Sequence, residues 1–163
     1  MITEAVQALP DIAALLRAFP ENTILAGDTP LGESVLEIAP GEIIAVLRFL
    51  KTDQQYERLS AITCVDWHPA EPRFEVVYQL HSLRHNRRLR LKCRLGGEGP
   101  ALESATAVYR SANWYEREVF DLFGVTFRNH PDLRRLLMPD YWQGHPLRKD
   151  FPVDGHKYDY QSS

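Results

Sequence analysis

Residues 88–95 alternate a cation with an apolar or thiol side chain and never break step. Arg88, Arg90, Lys92 and Arg94 fall on one side; Leu89, Leu91, Cys93 and Leu95 fall on the other. A period of two belongs to a strand, and a helix would scatter the same residues around its whole circumference. The run just upstream behaves alike. In RFEVVYQLHSL, Phe74, Val76, Tyr78 and Leu80 face one way, with Glu75, Gln79 and His81 the other. The intervening Arg84-His85-Asn86 suits a hairpin tip. One face of such a sheet covers a core and the other meets a polar environment, a pattern typical of antiparallel pairing.

The flanking segments supply the cover. Val6, Leu9, Ala13, Leu16 and Phe19 recur at helical spacing, with Pro10 either at a first turn or at a kink and Pro20 ending the pattern. NTILAGD and ESVLEI read as two short strands around a Thr29–Gly32 turn. Pro40 then opens a second helix whose Ile43, Val46, Leu47 and Leu50 share one face. LSAITCVDW reads as a strand, and SATAVY is expected to add a last one. A third helix is expected to begin at Asn113, with Glu116 three residues on as its capping-box partner. Tyr115, Val119, Leu122 and Phe123 would form its apolar face, and Gly124 its C-terminal cap. From Pro131 to Pro152 four prolines fall in 22 residues. The expected organisation is one α+β unit over 1–128, helices packed on a mixed or mostly antiparallel sheet. An extended, proline-rich C-terminal docking tail over 129–163 belongs to the same unit.

Length and composition agree: 163 residues, 44% hydrophobic and 25% charged, fit a single globular domain. No apolar run approaches the ~20 residues of a membrane-spanning helix. The N-terminus lacks the basic-then-apolar order of a secretory signal. Cys64 and Cys93 sit in strand-like runs, which suggests buried thiols in a reducing compartment. Charge is uneven. Residues 1–60 carry nine acids against four bases, and residues 61–100 four acids against seven bases. An acidic front and a basic middle bear on any partner.

Catalytic signatures are few. There is no G-x-G-x-x-G and no P-loop, no C-x-x-C, no H-E-x-x-H and no G-x-S-x-G. His130, His145 and His156 share one segment with Asp132, Asp140, Asp150 and Asp154, so a loop-built metal site is one alternative. Glu116, Glu118 and Asp121 lie close together on the third helix and invite an acid–base reading. Like charges at positions 118 and 121 repel, so a neutralising partner is expected. Arg134, Arg135, Arg148 and Lys149 offer one: a carboxylate–guanidinium network that docks the tail onto the helix. The cations of 84–94 lack the interleaved aromatics of a single-strand binder, which leaves a solvated face or one that docks an acidic protein surface. The tail mixes Trp142, arginines and apolar residues, the composition of a protein–protein contact. It either serves an assembly or wraps its own domain.

The stretch ANWYEREVFDLFGVTFRNHPDLRRLLMPDYWQGHPLRKDFPV resembles the signature region of the thirty-kilodalton subunit family of respiratory complex I, in bacteria the C subunit of NADH–quinone oxidoreductase. Glu116-Arg117-Glu118 is followed by Asp121-Leu122-Phe123 and Gly124. Next come His130, Pro131 and Asp132, then Arg134, Arg135, Leu136, Leu137, Pro139, Asp140 and Trp142. The block Gly144, His145, Pro146, Leu147, Arg148, Lys149, Asp150, Phe151 closes it. EPRFEVVYQLHSLRHNRRLRLK resembles the family's central strands; positions 1–55 share only its general layout. The resemblance implies a subunit of the peripheral arm, on the cytoplasmic side of a bacterial membrane. It implies no redox chemistry of its own and no cofactor in this chain, with NADH, FMN, iron–sulfur clusters and quinone held by other subunits. The forty-nine-kilodalton-type subunit and iron–sulfur subunits near the quinone site are the implied partners, and nucleic acid and membrane insertion are not implied. Related membrane-bound hydrogenases and other-donor dehydrogenases carry similar domains and form the main alternative. Many relatives extend further at the C-terminus, so contacts made by that extension are expected to be absent here.

Overall fold

The computed structural model describes residues 2–152. Its centre is a five-stranded sheet in the order β1-β2-β5-β4-β3. The strands are β1 (Ile24–Asp28), β2 (Ser34–Ile38), β3 (Arg58–Asp66), β4 (Phe74–Ser82) and β5 (Arg87–Leu95). All neighbours are antiparallel except β2 and β5, which run parallel. The alternation in β5 does what its period demands: Leu89, Leu91, Cys93 and Leu95 are buried. Their partners across β4 are Leu80, Tyr78, Val76 and Phe74, also buried.

Among the described residues four α-helices accompany the sheet: α1 (Glu4–Gln7), α2 (Pro10–Ala18), α3 (Ile43–Thr52) and α4 (Ala112–Phe123). In α3 the expected face, Ile43, Val46, Leu47 and Leu50, is the buried one. The N-terminal pattern resolves into two helices because Pro10 occupies the first turn of α2. The buried face of α2 is Asp11, Ile12 and Leu15. Leu9, Leu16 and Phe19 pack at its margin, and the side chain of Val6 lies outside those described.

A second, two-stranded parallel sheet joins β6 (Ala101–Glu103) to β7 (Thr126–Arg128). It corrects two sequence expectations. SATAVY is not a strand: Ser104 caps a 3-10 turn at Ala105–Ala107, its Oγ accepting the Thr106 N–H at 3.2 Å. Small alanines and a capping hydroxyl favour that turn over extension. The second correction concerns Asn113, which lies inside α4 and does not cap it; Ser111 holds the N-cap position. Glu116 is taken out of the capping box by a longer-range bond to Ala105. At the other end Gly124 does cap the helix, in the left-handed region at φ 74°.

After β7, residues 129–152 contain no helix or strand and lie along α4. Residues 153–163, with His156 and Asp154, lie outside the described residues. Among the described residues no helix is long and apolar enough to cross a membrane. Cys64 and Cys93 are both free and buried, and burial pushes each thiol up to about 12.

Candidate functional site

Helix α4 presents its C-terminal end and the buried carboxylate of Asp121 to the segment that follows it. The last turn of any α-helix leaves four carbonyls without an intrahelical donor. In α4 these are Phe120, Asp121, Leu122 and Phe123. Gly124 N–H donates to Phe120 O at 2.9 Å. The remaining three are met by the Gly144–Arg148 block. His145 Nδ1–H donates to Asp121 O at 2.9 Å, Leu147 N–H to Leu122 O at 3.0 Å, and Arg148 Nε–H to Phe123 O at 2.6 Å. Arg135 and Arg148 also place positive charge at the negative end of the helix dipole. Gly124 is needed twice over. Its φ suits glycine, and a Cβ there would stand 2.5 Å from the His145 ring and from Arg148 Nη2.

Asp121 is the anchor of the segment. Its Oδ2 accepts the backbone N–H groups of Leu136, Leu137 and Met138 at 3.0, 2.7 and 2.8 Å. Its Oδ1 takes Arg135 Nη1 at 2.7 Å, and the same guanidinium reaches Gly144 O at 3.0 Å. Burial alone would raise this carboxyl, but the three amides and Arg135 outweigh it and hold it below the usual carboxylate range. Arg117, a helix residue, contributes from the other side: its guanidinium donates to Arg134 O and Arg135 O and lies 5.0 Å from the Trp114 ring.

The far end is tied to the main sheet. Asp66, at the end of β3, accepts Arg73 through both oxygens, the His68 N–H at 2.9 Å and the Lys149 N–H at 2.9 Å. Arg73 also grips Asp150 at 2.7 and 3.0 Å. Its hydrogen bonds are the largest cause holding Asp66 far below the ordinary carboxylate range. Trp142 stacks near Phe151, with ring centroids 6.4 Å apart.

Glu116 behaves differently. It is fully buried and pairs with none of the arginines of the segment. Ala105 N–H and Ser104 Oγ–H reach its two oxygens at 2.6 Å each. His130 Nε2 stands 3.9 Å away but donates to Asn113 O at 3.2 Å, while its Nδ1 accepts the Asp132 N–H at 3.0 Å. Burial pushes the Glu116 carboxyl up to about 7, against the two donors.

The expected carboxylate–guanidinium network is therefore built on Asp121 and Arg135, with Asp66, Arg73 and Asp150 as a second node. Glu116 is not part of it. Glu118 is exposed, and Arg134 pairs with Asp132 at the surface at 2.9 Å. Pro131, Pro139 and Asp140 are exposed; Pro139 O accepts the Trp142 N–H at 2.9 Å. Pro146 is half-buried. The side chains of Leu137, Tyr141 and Leu147 point outward, as does Trp114. Among the described residues no three His, Cys, Asp or Glu side chains gather around a common point for an ion.

A family model for the respiratory-chain NADH dehydrogenase 30 Kd subunit matches residues 36–157. The match takes in the main sheet from β2 onward, α4 and the whole anchored segment. The chain belongs to that family. A relative from Geobacter sulfurreducens, the C subunit of an NADH-quinone oxidoreductase, is 48% identical over 125 residues, 76% of this chain and 77% of the relative. The corresponding C subunit from Cereibacter sphaeroides is 42% identical over 153 residues, 92% of this chain and 76% of the relative. Among solved structures, the trypsin-resistant fragment of Nqo5 superposes with a TM-score of 0.63 at 29% identity, covering 74% of this chain and 94% of that one. A chain of the membrane-bound sulfane sulfur reductase, an archaeal respiratory membrane complex, gives 0.72 at 25% identity over 87% of this chain and 84% of that one.

Sequence reasoning missed several members of this site. Arg117 stands out in the sequence only as part of the family motif, with no task attached. Asp66 and Arg73 lie in the β3–β4 region, 83 and 77 residues from Lys149 and Asp150 respectively. Their only local signal was a lone acid and base bracketing a proline-rich turn. Ser104 was hidden in the segment read as a strand.

Proposed function

We propose that this chain is a non-redox subunit of the peripheral arm of a proton-pumping NADH:quinone oxidoreductase, and that residues 129–152 form its principal docking surface. Membership of the family across residues 36–157 carries this reading. The site chemistry agrees with it. His145 and Arg148 are committed to closing a helix end, Asp121 to anchoring the segment on α4, and Asp66 and Arg73 to holding it on the sheet. Anchored in this way, the segment turns Leu137, Tyr141 and Leu147 outward on a stiff backing. Exposed apolar residues on a rigid frame suit assembly, because little conformational entropy remains to be lost on association.

In this reading the forty-nine-kilodalton-type subunit and iron–sulfur subunits near the quinone site cover that face. NADH, FMN, iron–sulfur clusters and quinone reside on those and other subunits, and this chain binds none of them. The complex sits with its peripheral arm on the cytoplasmic side of a bacterial membrane. A second reading draws on the likeness to the archaeal sulfane sulfur reductase chain: the same domain would serve a membrane complex with a different electron donor or acceptor.

Affinity purification of the tagged chain from gently solubilised native membranes tests both. Recovery in one large complex with iron–sulfur and membrane subunits, active with NADH and quinone, is the expected result. The same architecture without NADH activity but with another donor selects the second reading. Recovery as a free monomer overturns both.

A further inference from the structure

Three basic side chains lie in one row across the main sheet. Arg58 of β3 pairs directly with His81 of β4, and His81 pairs directly with Arg88 of β5. Directly paired residues on adjacent strands project from the same face. The neighbouring pair, Leu80 and Leu89, is buried in the core, so the row points to the opposite face. The two guanidiniums thus stand either side of an imidazole, with no carboxylate between them in the row.

The rest of that face is balanced within the chain. Arg90 meets Glu33 at 2.9 Å, Lys92 meets Glu75 at 3.0 Å, and Arg94 lies 3.3 Å from Glu75 and 3.7 Å from Glu37. Arg58 and Arg88 are both exposed, and among the described residues neither has a carboxylate within ion-pair distance. His81 Nε2 is shut off from solvent without a hydrogen-bond partner. Neither Glu33 nor Glu57 pairs with the row. Glu33 holds Arg90, and Glu57 accepts the Leu83 N–H at 3.1 Å. The next row along, Ala61, Gln79 and Arg90, offers no ring for a nucleobase to stack on.

We infer that the Arg58–His81–Arg88 row docks a carboxylate-bearing face of a neighbouring protein subunit, supplying from outside the negative charge that Glu33, Glu37 and Glu75 supply to the adjoining rows. The inference rests on the subunit reading above and adds a second contact surface, distinct from residues 129–152. The row spans two strand spacings, roughly 10 Å. Two acids one turn apart on a partner helix, with Cβ atoms ~5–6 Å apart, fall within reach of the two long arginine side chains.

Two variants test it in the assembled complex. Arg58→Lys/Arg88→Lys keeps the charge and adds amines that a zero-length carbodiimide joins to carboxylates. The expected product is an amide link from position 58 or 88 to an Asp or Glu of another subunit, absent from the wild-type complex. Arg58→Glu/Arg88→Glu should lower retention of the chain in the complex about tenfold at ~0.2 M salt, where contacts shorter than the Debye length still act. The melting temperature of the isolated variant should stay unchanged, and the exposed control Arg110→Glu should be retained like wild type. Links confined to this chain together with wild-type retention of the Glu variant overturn the inference. Loss of wild-type retention on nuclease treatment overturns it in favour of nucleic acid. A wild-type chain that enters no complex refutes the subunit reading itself; a wild-type chain that enters, with indistinguishable variants, refutes only the row.

Discussion

Glu116 and Asp121 sit five residues apart on α4, and both are fully buried, yet they end in opposite states. Asp121 receives three backbone amides and a guanidinium, and is held ionised. Glu116 receives one amide and one hydroxyl with no cation against it, and its carboxyl is pushed up to about 7. Burial opposes charge at both positions. Donor count and a paired guanidinium decide which side wins. The C-terminal half of the helix thus holds a fixed charge that fastens residues 134–148, while the N-terminal half holds a carboxyl that changes state near neutrality.

Asp121→Ala should break this contrast most severely. It leaves Arg135 and three amides facing a buried gap, a loss of about 3–5 kcal/mol, measurable by urea unfolding. Trypsin should then cut at Arg134 and Arg135 sooner than in wild type, and unchanged cleavage would show that Asp121 does not fasten the segment. Gly124→Ala comes next, at about 1–3 kcal/mol, because the left-handed φ and the approach of His145 and Arg148 oppose a Cβ together.

Glu116→Gln sharpens the comparison through pH. The wild-type fold holds a proton on Glu116 that the unfolded chain releases near 4.5, so stability falls as pH rises from there to about 7 and then levels off. Melting temperatures at pH 5 and pH 8 should differ less in the variant than in wild type. Asp121 has the opposite sign. Its folded carboxyl lies below its unfolded value, so its contribution is full above the usual carboxylate range and is lost on acidification through the lowered value. Arg134→Ala should do least. Its partner Asp132 is exposed, and such surface pairs contribute about 0–1 kcal/mol.

What the sequence disclosed follows the range of the interactions involved. β5 and α3 were legible because their burial is written in local periodicity. Gly124 was legible because a helix stop is a local event. The fastening of the segment to α4 was legible in outline, since acids on a helix followed by a run of arginines call for pairing. Its details were not. The expected capping box at Asn113 gave way to a bond from Ala105 to Glu116, eleven residues apart, and the 3-10 turn displaced a strand. The Asp66–Arg73–Asp150 node joins residues that only the finished sheet brings together. The small β6–β7 sheet is likewise a product of tertiary contact between two three-residue strands too short to announce themselves.

The central claim is that residues 134–148 are held on α4 by Asp121 and the open carbonyls of the helix end. Native-state hydrogen exchange at the amides of Leu136, Leu137, Met138 and Leu147 tests it most directly. The account predicts slow exchange at neutral pH in wild type, with protection at the first three lost in Asp121→Ala. Exchange at the rate of an open chain in wild type at neutral pH would contradict it.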